Sequence, residues 1–213
     1  IGAGLLTRSI YREKQDMAAE HTSILRFDEI AITDVPRVGG KNASLGEMIR
    51  ALGGYGVRVP DGFATTAAAS RSYIAANGFE QAIGRHIHAY RSGEADLQAA
   101  GAAIRELMLT GHMPEALQTE ICAAYDRLAA SLGVAEPAVA VRSSATAQDL
   151  PDASFAGQQE TFLNVAGHRA LLDACRRCFA SLFTDRAISY REAKGFDHLA
   201  IAGFCGFGGA VLP

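Results

Sequence analysis

Three stretches of this 213-residue chain combine residue types that could hold a phosphate-bearing ligand. The first is Val38-Gly39-Gly40-Lys41-Asn42-Ala43-Ser44. Its two glycines let backbone N–H groups approach an anion closely, and a helix start just after them adds favourable partial charge. Lys41 supplies a mobile cation at the same place. The stretch is not a Walker A loop, because Val35 stands where the first glycine belongs and Asn42 where Ser or Thr belongs. Its plainer reading is a loop with an exposed lysine before a capped helix.

The second stretch, Val141-Arg142-Ser143-Ser144-Ala145-Thr146, leaves a buried strand and enters a polar loop. An arginine at a strand end presents a planar fork to phosphate oxygens, and the hydroxyls beside it could form a donor-rich cradle. An ordinary turn with a surface arginine fits the same residues. The third stretch runs from Asp149 to Thr161. A connection of this length between two strands is unusual unless it is functional. Gly157 permits close backbone approach, and Phe155 could pack under a base or anchor the loop. The carboxylates Asp149 and Asp152 are not spaced as a recognised Mg²⁺ ligand set.

Other signals favour plain structure. Cys175-x-x-Cys178 sits mid-helix with two arginines between and has no second such pair, so core packing of Cys175 is the expectation. His86 and His88 are two apart, a poor helical spacing for joint ligation. Asn42-Ala43-Ser44 fits the glycosylation pattern without a secretory context. A Gly-x-Ser-x-Gly elbow is absent, leaving a serine hydrolase unsupported.

The elements that must position these residues follow from period and punctuation. Leu45, Met48, Ile49 and Leu52 predict a helix over 42–52, with Ser44 and Glu47 as a capping box and Gly53-Gly54 as the stop. A short strand is expected at Val57–Val59, then a turn at Pro60-Asp61-Gly62 and extended chain at 63–65. Helices are predicted over 67–76, 79–90, 95–109 and 114–132, the last with Pro114 at its first helical position. A buried strand at 138–141 and a loop from Arg142 to Gly157 come next. The strand 160–165 follows, with Thr161, Leu163 and Val165 on one face. Helices over 168–183 and 185–194 complete the pattern. Strands and helices mix without regular βαβ alternation, so the fold class is α+β.

At 49% hydrophobic and 20% charged the composition is globular. The net charge, 20 − 23 = −3, argues against a nucleic-acid or anionic-membrane binder. The four cysteines do not form a secreted disulfide framework, and there is no stretch of uncharged apolar residues long enough to cross a membrane. A cytoplasmic location is the expectation. The chain starts without Met; residues 1–23 are expected to be a lead, with 1–16 a non-native extension ahead of Met17. Residues 203–213, apolar and glycine-rich with no helical period, are expected to be a divergent tail at a torn edge.

Several segments in order make a more specific signal than any one of them. Val38 to Met48, Val59 to Thr66, Val141 to Thr146, Asp149 to Val165 and Ser181 to Tyr190 together closely resemble the N-terminal nucleotide-binding domain of the phosphoenolpyruvate synthase (pyruvate, water dikinase) family. The resemblance covers roughly residues 24–202. It implies the first lobe of an ATP-grasp-like fold with a helical insert, incomplete at its C-terminus. It implies ATP as ligand, with Lys41 and Arg142 on its phosphates, and Mg²⁺ held by ligands in a missing part. Similarity to rifampicin phosphotransferases implies that Gly157 and Thr161 lie near the nucleotide. The implied reaction is ATP + pyruvate + water giving phosphoenolpyruvate, AMP and phosphate. In that family the phosphoryl group rides on a histidine of a separate domain to a barrel that binds pyruvate. No catalytic residue is therefore expected within this chain, and the full reaction is not expected of it alone; a homo-oligomer is a further expectation for the full-length family. Gln148 stands where the family usually has Glu. Rifampicin phosphotransferase and pyruvate, phosphate dikinase are the alternative enzymes, and a remnant that binds no nucleotide is the alternative from another class.

Overall fold

The computed structural model describes residues 22–55, 59–145 and 160–209. The chain opens with strand β1 (Ile24–Arg26) and two 3-10 turns, Phe27–Glu29 and Ile32–Asp34. The one-turn helix α1 (Val35–Val38) takes Pro36 in its first turn, where a missing N–H breaks no helical bond. Helix α2 (Gly40–Leu52) follows, then β2 (Gly62–Thr65). Four helices come next: α3 (Ala67–Ala76), α4 (Phe79–Ser92), α5 (Leu97–Thr110) and α6 (Glu115–Leu132). Strands β3 (Val139–Ala145) and β4 (Thr161–Val165), helices α7 (His168–Ala180) and α8 (Asp185–Lys194), and strand β5 (Gly203–Gly209) complete the described chain.

Local chemistry fixes several boundaries. The Asp96 carboxylate accepts the Ala99 N–H at 2.7 Å and starts α5, and the Thr184 hydroxyl accepts that of Ala187 at 3.3 Å at the head of α8. Left-handed glycines end α4, α6 and α8 at Gly93, Gly133 and Gly195. Pro114 is the N-cap of α6 rather than its first helical residue.

The strands form one antiparallel sheet in the order β1-β2-β5-β3-β4. Alternation along them separates two faces. Phe63, Val139, Val141, Cys205 and Phe207 enter the main core, with Tyr73 from α3, Ile83 from α4, Ile104 and Met108 from α5, Ile121 from α6 and Phe179 from α7. Ala64 faces the other way, into a smaller cluster with Phe27, Ile30, Val38 and Ala43 beneath α2. The α+β expectation holds.

Further local expectations are corrected. Residues 203–209, expected within a tail without an element, form the central strand β5. A strand covered on both faces has no polar alternation, so it carries no period to read. Arg142, Ser143 and Ser144 lie inside β3, paired with Gly206, Cys205 and Phe204 of β5, not in a loop. Helix α2 begins at Gly40, and its N-cap is Gly39; Ser44 lies beyond the first turn, so it forms no capping box. In β4, Leu163 is 66% exposed while Val165 is buried, so the two do not share a face. Val139 pairs with Val165 but Val141 with Phe162, which leaves one extra residue on β4. Asn164 absorbs it at φ 58°, a bulge that flips the alternation. Residues 57 and 58 and the loop over 146–159 lie outside the described residues, and Val59 is in no strand.

A partly buried charged cluster ties α8 to α4. Arg191, 2% exposed, donates from Nε to His198 Nδ1 at 2.9 Å. The neutral ring then carries its proton on Nε2, 2.6 Å from Glu192 Oε1. Arg91 reaches from α4 to hold Glu192 with two bonds of 2.9 and 2.7 Å.

Candidate functional site

The N-terminal turn of α2 is seated directly on the central strands, and glycines make that possible. Gly39 adopts φ 77° and ψ 157°, a conformation essentially confined to glycine. A Cβ there would overlap the Ser144 hydroxyl and lie 2.9 Å from the Phe204 ring. The Gly39 backbone therefore packs on the Ser144 and Phe204 side chains, and the helix start faces β3. That turn carries the positive end of the helix dipole, which favours an anion.

Lys41 is exposed in that first turn. Asn42 beside it is only 5% exposed, and its Nδ2 donates to the Val38 carbonyl at 2.8 Å. Arg142 is exposed on β3, flanked in register by Gly206 of β5 and Thr161 of β4. Around it the β3–β4 pair is reinforced: Ser143 N–H donates to the Glu160 carbonyl at 3.1 Å, and Glu160 N–H donates to the Ser143 hydroxyl at 3.2 Å.

Lys41 and Arg142 line one open cleft of about 700 Å³, within the range of small-molecule sites. Asn42, Ser44, Ser143 and Ser144 also line it. Phe27, Ile32, Val35, Leu45 and Met48 form an apolar wall. The lining thus suits a ligand with an anionic end and an apolar end. Of the expected site residues, the structure brings together Lys41 and Arg142. Thr161 stands beside Arg142 in register but, among the described residues, is not part of the lining. Gly157 lies outside the described residues.

Residue-type reasoning missed the apolar wall and the floor made by Gly206 and Gly208. Helical spacing did mark Leu45 and Met48 as one face, but a face that borders a cleft has the same period as one that borders a core. Met48 remains 48% exposed.

The remaining sequence signals fall elsewhere. Cys175 and Cys178 are buried in the core, with Cys175 Sγ 3.4 Å from Cys205 Sγ. The hydrogen bond to Cys205 and then burial hold the Cys178 thiol well above its ordinary pKa, and burial does the same for Cys205. Among the described residues, no group of three or more His, Cys, Asp or Glu is placed to hold a metal ion, and no helix is long and apolar enough to cross a membrane. Asn42 is buried with its amide engaged, so the glycosylation pattern is inert in this fold.

Comparison with known proteins places this geometry in context. The family model described as "Pyruvate phosphate dikinase, AMP/ATP-binding domain" matches residues 35–203. The phosphoenolpyruvate synthase of Neisseria meningitidis serogroup B is 52% identical over 180 residues, which is 84% of this chain and 23% of that protein. The phosphoenolpyruvate synthase of Synechocystis is 51% identical over 196 residues, 89% of this chain and 24% of that protein. That of Escherichia coli is 49% identical over 180 residues, covering 84% and 22%. The chain thus spans less than a quarter of the length of these three relatives.

Proposed function

This chain belongs to the pyruvate phosphate dikinase AMP/ATP-binding domain family, and from that premise we propose that its cleft binds the phosphates of ATP for a phosphoenolpyruvate synthase. Its α+β fold is ATP-grasp-like. The observation that carries the site assignment is that Lys41 and Arg142 line one cleft at a helix N-terminus seated on the sheet.

The work of this part is positioning and charge neutralisation, which make up most of what a protein contributes to phosphoryl transfer. Arg142, fixed by strand partners on both sides, presents its planar fork to phosphate oxygens. Lys41 brings a compact, mobile charge. The N-terminal end of α2 favours the anion through the helix dipole. Thr161 and Gly157 have the roles implied by the family resemblance, close to the nucleotide.

The proposed overall reaction is ATP + pyruvate + water to phosphoenolpyruvate, AMP and phosphate, with pyruvate and the carrier histidine handled by further domains of such an enzyme. Mg²⁺ is a general companion of ATP in this chemistry, but the described residues offer no ligand cluster for it. The proposed location is cytoplasmic.

Calorimetric titration of the 213-residue chain with Mg-ATP tests the assignment. Saturable binding, weakened about tenfold or more by Lys41→Ala and by Arg142→Ala, is the expected result. A folded chain that shows no saturable binding would leave the family likeness as ancestry alone.

A further inference from the structure

We propose that Asn42 is a positioning residue that sets the spacing between Lys41 and Arg142; the inference rests on the phosphate-binding reading of the cleft. A buried polar side chain is costly unless its groups are satisfied, so a 5% exposed asparagine in a helix start calls for a reason. Its Nδ2 bond of 2.8 Å to the Val38 carbonyl spans the Gly39-Gly40 pair. Those two residues have the greatest backbone freedom in the turn, and the bond closes the chain around them.

The other side of Asn42 meets the sheet. A Cβ built on Gly206 would overlap Asn42 Oδ1 and lie 3.3 Å from its Cγ and 3.6 Å from its Nδ2. The three nearest heavy atoms all belong to Asn42, so its amide is what fills the space against β5 there. Gly206 is in turn the register partner of Arg142. One side chain therefore links the two cations: Lys41 is its covalent neighbour, and Arg142 is the register partner of the glycine it presses on.

The residue type fits this role. Serine could keep a bond to the carbonyl four residues back, but it is too short to fill the space against Gly206. Leucine has the bulk and no donor. A displacement of an ångström between binding groups can cost two orders of magnitude in a preorganised site. Asn42 therefore acts on nucleotide binding through the placement of Lys41 relative to Arg142, without itself having to touch the ligand.

A double-mutant cycle on the full chain separates this from simple packing. The dissociation constant for Mg-ATP is measured for wild type, Asn42→Ser, Lys41→Ala and the pair. Asn42→Ser is expected to weaken binding about tenfold in the wild-type background and by less than about twofold in the Lys41→Ala background. If Asn42→Ser does not fold, Gly206→Ala applies the displacement from the strand side with Asn42 in place, and it is read in the same cycle. Equal losses in both backgrounds overturn the inference and make Asn42's effect on binding independent of Lys41; no loss in wild type overturns it and leaves Asn42 as packing. A folded wild type that binds no nucleotide removes the ATP reading and this inference together.

Discussion

Gly39 lies against the hydroxyl of Ser144, so close that a methyl group on the glycine would overlap it. The same methyl would come within 2.9 Å of the Phe204 ring. The backbone at Gly39 also has φ 77° and ψ 157°, which costs a residue with a side chain about 1–3 kcal/mol. Gly39→Ala combines strain with overlap in a packed region. It is expected to lower the unfolding free energy by about 2–4 kcal/mol in urea titration. A loss under about 1 kcal/mol would mean that the turn relaxes freely and does not hold α2 on the sheet.

Arg142 offers a cleaner probe of the ligand, because its side chain is exposed and its strand is held by backbone pairing. Arg142→Lys keeps the charge and loses the planar fork. The urea midpoint is expected to stay put while affinity for Mg-ATP falls several-fold. Undiminished affinity would show that charge alone, and not the bidentate geometry, does the binding there.

Much of the helical framework was legible, because α3 to α6 announce themselves by apolar period. The cleft was legible only in part. Lys41 stood out because Gly-Gly-Lys before a helix has a physical use. Arg142 stood out as well, but its strand was read as ending at Val141 and in fact runs on to Ala145. Arg142 and Ser144 are polar because their face of β3 looks into the cleft, and a polar run reads as a loop. β5 was hidden for the opposite reason: both of its faces are covered, and Gly206 is bare because Asn42 occupies the space its side chain would need.

The bulge in β4 misled the pattern in a way that can be tested. Strict alternation puts Leu163 and Val165 on one face, but Asn164 sits at φ 58° and turns Val165 into the core. Asparagine tolerates that conformation, and a β-branched residue does not. Asn164→Val is expected to cost about 1–2 kcal/mol, while Asn164→Gly stays within about 0.5 kcal/mol of wild type. Equal stability of the two variants would argue against the extra residue on β4.

The Arg91–Glu192–His198–Arg191 cluster makes stability depend on pH. Burial, together with the nearby Arg191, holds the pKa of His198 below its ordinary 6.5, despite the opposing pull of Glu192. Below pH 6.5 the unfolded chain takes up a proton that the folded ring resists, so stability falls as pH drops from there toward the folded value. The paired bonds from Arg91, and then His198, pull Glu192 from 4.5 down to about 2. Its contribution is present above 4.5 and is lost as pH falls toward 2. Both effects have the same sign in separate windows. Urea titrations are expected to give lower stability at pH 5.5 than at pH 7.5, and lower again at pH 3. His198→Gln should flatten the upper step and keep the lower one, because glutamine cannot titrate; Glu192→Gln should flatten the lower one. Wild-type stability that is level between pH 7.5 and 5.5 would show that His198 is protonated as easily in the folded chain as in the unfolded one, against the burial and the Arg191 hydrogen bond seen here.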